Sequence, residues 1–119
     1  MPVKRGDIVL VPVPDTSGSP GKLRPALIVS ADRNNQRLQD VIVAVITKTT
    51  KRVQLEPTQF LIELGTPEGS QSGLLTDSAL KCERLHAILQ SYVRRTIGSL
   101  PIATMQKVND CLKTALGIP

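Results

Sequence analysis

Runs of β-branched residues separated by turn-forming clusters fill most of this chain, and a stripe at helical spacing closes it. Ile8 to Val11 lies between Gly6-Asp7 and Pro12-Val13-Pro14, which predicts a short buried strand whose end is set by proline. Pro25 to Ser30 and Val41 to Thr47 are nearly continuous in hydrophobicity, as strands covered on both faces are. These are the expected central strands. Ala31 to Asp40, between them, has no clean period and reads as a loop with a single helical turn. Phe60 to Leu64 predicts a further strand, and Gly65 to Gly73 a turn region of Gly, Ser and Pro. The sheet is expected to continue through Gly73 to Thr76 and Ala79 to Leu89, the latter long enough for a bent strand.

Ile102, Met105, Val108, Leu112, Ala115 and Leu116 fall on one stripe with the helical period, so the last segment predicts an amphipathic helix. Ser99 is its expected cap, Pro101 sits in its first turn, and Gly117 marks its end. Short strands followed by one terminal helix imply a mainly β (α+β) fold. The form expected is a small, strongly curved antiparallel sheet or partly closed barrel with the helix packed on it. A chain of 119 residues holds one core, so residues 1–119 are read as a single domain.

Composition narrows the picture. Hydrophobic residues at 40% and charged residues at 21% exclude a disordered chain. Only Phe60 and Tyr92 are aromatic, so the core must be built from Val, Ile, Leu and Ala, and the stacking platform of many single-strand binders is missing. A formal charge of +5 favours phosphate-bearing partners over acidic ones. Cys82 and Cys111 match no metal-ligand spacing and suit a reducing compartment. The opening Met-Pro-Val-Lys-Arg-Gly-Asp lacks a long apolar stretch, and no later run approaches the roughly 18 to 20 apolar residues of a membrane span. A cytoplasmic location with no membrane association is the expectation.

Asp15 to Lys22 collects turn-forming residues without a hydrophobic anchor and predicts a mobile surface loop. It delivers the chain to Arg24 at a strand entrance, where a guanidinium can fork onto a phosphate or take part in a surface salt bridge. Thr47 and Lys48 place a hydroxyl and an ammonium at another strand end, and Lys51 with Arg52 continues that basic connection. Lys81 and Glu83, with Cys82 pointing away between them, put a cation and a carboxylate on one strand face. Such a pair can be a general acid and base or a plain ion pair. His86 is the lone histidine, so neither paired imidazoles nor a multi-histidine metal site can form. No Gly-rich phosphate cradle, zinc spacing or Gly-x-Ser-x-Gly elbow is present, which argues against nucleotide hydrolases, zinc enzymes and esterases.

Arg5-Gly-Asp-Ile-Val-Leu-Val-Pro-Val, a Ser/Gly/Pro-rich loop, and Leu23-Arg-Pro-Ala-Leu-Ile-Val-Ser-Ala-Asp32 together resemble the opening of the MazF/PemK toxins. Val41 to Thr47 resembles that family's third strand ending in threonine. Gly73-Leu-Leu-Thr-Asp-Ser78 resembles its Gly-Leu-x-x-Asp-Ser element, Lys81-Cys-Glu-Arg84 its basic-Cys-acid-Gln element, and Ile97-Gly-Ser-Leu100 with the final helix completes the match. The resemblance implies an SH3-like, PemK-type barrel, a homodimer, and a groove for single-stranded RNA along the dimer interface. It also implies the toxin of a type II toxin-antitoxin system, a sequence-specific endoribonuclease that needs no metal or other cofactor and leaves 2′,3′-cyclic phosphate and 5′-hydroxyl ends.

By the same resemblance Arg24 corresponds to the arginine on the scissile phosphate, Thr47 to the threonine at that centre, Glu83 to the base and Lys81 to the acid. Lys22, Lys48, Lys51, Arg52 and His86 are the candidate RNA contacts, and a disordered acidic segment of a cognate antitoxin is the expected protein partner. The chain departs from the pattern at Lys81, where the PemK-like branch has arginine, at Lys48, and at His86-Ala87. Two rivals stay open. One is a gyrase-poisoning toxin of the same fold, whose tryptophan-centred helix contact this Trp-free chain lacks. The other is a catalytically silent RNA- or antitoxin-binding module.

Overall fold

The computed structural model describes residues 2–14 and 21–119, so most of the loop expected over Asp15 to Lys22 lies outside the described residues. The strands are β1 (Asp7–Val13), β2 (Lys22–Ile28), β3 (Asp40–Thr47), β4 (Gln59–Ile62), β5 (Ser78–Leu89) and β6 (Arg95–Ser99). The helices are α1 (Asp32–Arg37), α2 (Pro67–Ser72) and α3 (Ile102–Leu116). All pairings are antiparallel in one curled six-stranded sheet of order β4-β5-β3-β2-β1-β6. The mainly β fold with a terminal helix is as the pattern predicts. Among the described residues no helix is long and apolar enough to cross a membrane.

The near-continuous hydrophobicity of the central strands has a direct cause: both faces of the sheet are buried. Alternate residues Ile8, Leu27, Ile46 and Leu80 pack on one face with Met105 and Val108 of α3. Val9, Val11, Ala26, Val43 and Val45 form a second cluster on the opposite face. A fully buried side chain of this kind contributes about 1.5–3 kcal/mol, so neither face tolerates a register slip.

Several boundaries differ from expectation. β1 runs through Pro12 to Val13, and β2 begins at Lys22 with Pro25 inside it. Both prolines lie where their strand has a ladder on one side only: β6 reaches no further than Leu10, and β3 first pairs β2 at Ala26. Ala31 to Asp40 contains the short helix α1, whose buried Asn35 donates to the Ser30 carbonyl at 3.0 Å. Gly65 to Gly73 is not a turn region but holds α2, with the Thr66 hydroxyl accepting from the Gly69 N–H at 3.2 Å and Pro67 in its first turn. Gly73 to Thr76 is not strand; β5 starts at Ser78.

At the last helix the N-cap is Pro101, not Ser99. Ser99 ends β6, where its hydroxyl accepts from Gln71 Nε2 at 3.0 Å. Gly117 ends α3 in the left-handed region as expected (φ 70°). Ile102 and Leu116 are exposed, so the stripe that meets the sheet is narrower than the spacing suggests and centres on Met105 and Val108.

Candidate active site

The register of the central strands brings the two principal candidate residues together. β2 and β3 pair through Ala26 opposite Val45, so two residues further out Arg24 comes level with Thr47, which is itself paired with Ala79 of β5. Arg24 lies within β2 opposite Val11, not at the strand's entrance. Arg24 and Thr47 line one cavity of about 570 Å³. Its remaining walls come from β1 and β6, through Leu10 and Ile97, and from the segment Gly73–Thr76 that joins α2 to β5.

That segment is held at both ends. Gly73 adopts φ +76°, and a Cβ there would meet the Ile97 carbonyl oxygen at 2.0 Å, so the backbone of α2's end rests directly on β6. The Ser72 hydroxyl accepts from the Leu74 N–H at 3.1 Å, and Asp77 Oδ1 accepts from the Leu64 N–H at 2.8 Å. Asp77 is thereby turned to a structural task and does not line the cavity. The described lining carries four cations, Lys22, Arg24, Lys48 and Arg95, and no carboxylate. Arg24 Nε is buried and has no hydrogen-bond partner among the described residues. An unsatisfied buried donor on a permanently charged group is costly, so the arrangement suits an anion that enters and accepts from it.

Lys81 and Glu83 lie outside that lining. Lys81 pairs with Val45, which places it on the face of Ala79 and Thr47, one step further along the sheet. The next four residues of β5 advance against a single step of β3, from Val45 to Ala44, so Cys82, Glu83 and Arg84 form a bulge. Glu83 leans to β4 in this bulge, accepting from Thr58 Oγ1 at 3.0 Å and Gln59 Nε2 at 2.8 Å. Partial burial acts to raise its carboxyl pKa, but the hydrogen bonds from Gln59, its own backbone and Thr58, with Lys81 nearby, outweigh it and hold the group below the usual carboxylate value. Lys51 and Arg52 are exposed in the turn between β3 and β4, and Lys51 borders a separate hollow with Leu55 and Leu61. His86 pairs with Val43 beyond the bulge; burial first, then Arg84, lower its pKa and favour the neutral ring.

The family model of the PemK-like, MazF-like toxin of type II toxin-antitoxin systems matches residues 4–116. The chain belongs to this family. It is 28% identical over 117 residues to the endoribonuclease MazF of Staphylococcus saprophyticus, covering 98% of this chain and 92% of that protein. To the endoribonuclease MazF9 of Mycobacterium tuberculosis it is 28% identical over 120 residues, covering 98% of each. A solved mycobacterial endoribonuclease in complex with its cognate antitoxin superposes with a TM-score of 0.77 at 26% identity, over 98% of this chain and 97% of that one.

In this MazF/PemK-like chain the structure unites Arg24, Thr47, Lys22 and Lys48 in one cavity, and leaves Lys81, Glu83, Lys51, Arg52 and His86 outside its lining. Sequence reasoning missed Arg95. Arg94-Arg95-Thr96 carries no hydrophobic period, and only the pairing of Leu10 with both Pro25 and Arg95 shows that β6 forms a wall of the site.

Proposed function

We propose that this chain is a toxin that cuts single-stranded RNA at selected sequences without a metal, with Arg24 as the residue on the reacting phosphate. Its family and its relatives make it a toxin endoribonuclease. The observation that carries the reading of the site is the buried Nε of Arg24, without a hydrogen-bond partner among the described residues, in a cavity shared with Thr47 whose described charged lining is all cationic.

In the proposed reaction the 2′-oxygen of the ribose attacks the adjacent phosphorus and loses its proton to a base. The bond from phosphorus to the 5′-oxygen breaks, and that oxygen takes a proton, leaving a 2′,3′-cyclic phosphate and a 5′-hydroxyl. The non-bridging oxygens carry most negative charge midway. A fixed guanidinium therefore lowers the barrier more than it aids binding, and the Thr47 hydroxyl adds a neutral donor. Glu83 is the proposed base: its depressed pKa keeps it ionised at neutral pH, as a base must be, although its bonds to Thr58 and Gln59 weaken its basicity. Lys81, on the Thr47 face, is the proposed acid. Lys22 and Lys48 at the cavity, and Lys51, Arg52 and His86 beyond it, extend the proposed path of the strand.

The chain is further proposed to act in the cytoplasm as a homodimer, and to be neutralised by an acidic, disordered antitoxin segment seated on the same cations. A complex with a cognate antitoxin is known for the mycobacterial relative. Incubation of the purified protein with a long single-stranded RNA in EDTA tests the reading. Discrete cuts ending in cyclic phosphate are expected, and Arg24→Ala should lower the single-turnover rate about 10²-fold or more. Near-normal cleavage by that variant would remove Arg24 from the reaction, and gyrase inhibition or RNA retention without cleavage would favour the rival functions.

A further inference from the structure

The cavity that holds Arg24 and Thr47 is also lined by two residues that the cleavage step does not use. Arg95 projects from β6, exposed, where β6 pairs with Leu10 of β1. Leu75, in the Gly73–Thr76 segment, is 92% exposed while lining the same cavity. Its exposure is not that of a fraying loop, because the segment is pinned by the Gly73 contact with Ile97 and by the hydrogen bonds to Ser72 and Asp77. An aliphatic side chain held open to water in the same cavity as an exposed cation matches a ligand with one apolar face and one negative charge.

We propose that Arg95 and Leu75 form a subsite for the nucleotide flanking the bond that is cut, Arg95 on its phosphate and Leu75 against its base. The proposal rests on the endoribonuclease reading. A strand whose reacting phosphate sits on Arg24 must place a neighbouring nucleotide in the rest of the same cavity, where Leu23 offers a second half-exposed aliphatic surface. Neither Phe60 nor Tyr92 lines this space, so aliphatic contact takes the place that aromatic stacking has in many single-strand sites. Arg95 is thus a positioning residue, and Leu75 one that selects among bases.

The test is single-turnover cleavage of one long RNA over a range of RNA and salt concentrations. Arg95→Ala should raise the half-saturating RNA concentration about tenfold with a much smaller effect on the saturating rate. The dependence of log affinity on log salt should lose about 0.7 in slope, the share of one single-strand phosphate contact, and Arg95→Lys should restore it. Leu75→Ala should broaden the set of sites cut. Lys113→Ala, which removes an exposed α3 cation outside the cavity, should leave the slope unchanged. Denaturation midpoints of all variants establish that they are folded.

An Arg95→Ala protein with an unaltered salt slope, or one whose saturating rate falls as far as that of Arg24→Ala, would overturn the subsite while leaving the endoribonuclease reading intact. An equal loss of slope in Lys113→Ala would overturn it too, by reducing the effect to net charge. So would variants that cut RNA normally but bind an acidic antitoxin peptide poorly, which would assign these residues to the protein partner. A wild-type protein that cuts no RNA would remove both readings together.

Discussion

Two glycines of this chain have nearly the same backbone angle and very different surroundings, which allows the cost of one contact to be isolated. Gly73 and Gly117 have φ of +76° and +70°, the left-handed region in which an L side chain costs about 1–2 kcal/mol. Around Gly117 nothing stands within 4 Å of a new Cβ, whereas at Gly73 the Cβ would lie 2.0 Å from the Ile97 oxygen and 2.6 Å from its carbonyl carbon. Both neighbours are backbone in a paired strand, so relief requires α2 or β6 to move. Gly117→Ala should therefore cost about 1 kcal/mol, and Gly73→Ala that amount plus about 1–3 kcal/mol, the usual range for overpacking.

Urea denaturation followed by far-ultraviolet circular dichroism gives both numbers. Gly73→Ala should also slow RNA cleavage, because the displaced elements are the cavity walls carrying Leu75 and Arg95. If the two variants lost equal stability, or if Gly73→Ala kept full activity, the close approach of α2 to β6 would not be what shapes the cavity.

Glu83→Gln should be less stable than the parent at neutral pH. The parent's depressed carboxyl pKa favours folding above the ordinary value of 4.5, and that advantage disappears as pH falls through the folded-state pKa, so denaturation midpoints of the two proteins should converge in acid. If the same substitution removes the fall in cleavage rate as pH drops through the depressed carboxyl pKa, Glu83 is the base; an unchanged acid limb assigns it to the β4–β5 clamp alone. Thr66→Ala removes the cap of α2 and should cost about 1 kcal/mol in thermal or urea unfolding, with Thr66→Ser recovering most of it. Burial, with Cys111 and Glu83 nearby, pushes the Cys82 thiol up to about 12, so at pH 8 an alkylating reagent should modify Cys111 first and Cys82 only on unfolding, as peptide mass mapping will show.

The chain wrote some of this plainly and some not at all. β3 was legible because two buried faces demand an unbroken apolar run, and α3 because Met105 and Val108 repeat at helical spacing. α2 was hidden in Pro-Glu-Gly-Ser-Gln-Ser, residues that form turns equally well; only Thr66, Pro67 and Gly73, at the positions of cap, first turn and terminator, signal a helix. β6 escaped notice because it is an edge strand with a single ladder, and Ile97 is its one large apolar residue. Arg24 and Thr47 could be singled out from residue type and resemblance, but their meeting is a matter of register between β2 and β3, which hydrophobic pattern does not encode. Arg95 joins them only through tertiary pairing.

β1 is flanked by β2 on one side and β6 on the other, with Asp7 paired to Ser99. During synthesis this closure comes late. Lys22 and Arg24 leave the ribosome long before Arg95 and Ile97, an interval of several seconds at roughly 5–20 residues per second. Until then one wall of the cavity is missing, β1 has an open edge, and the bed on which Gly73 rests does not exist. Pairing β6 with β1 thus makes the cavity depend on a late-synthesised strand: a product that stops before β6, even one carrying Arg24, Thr47, Lys81 and Glu83, is left without the finished cavity.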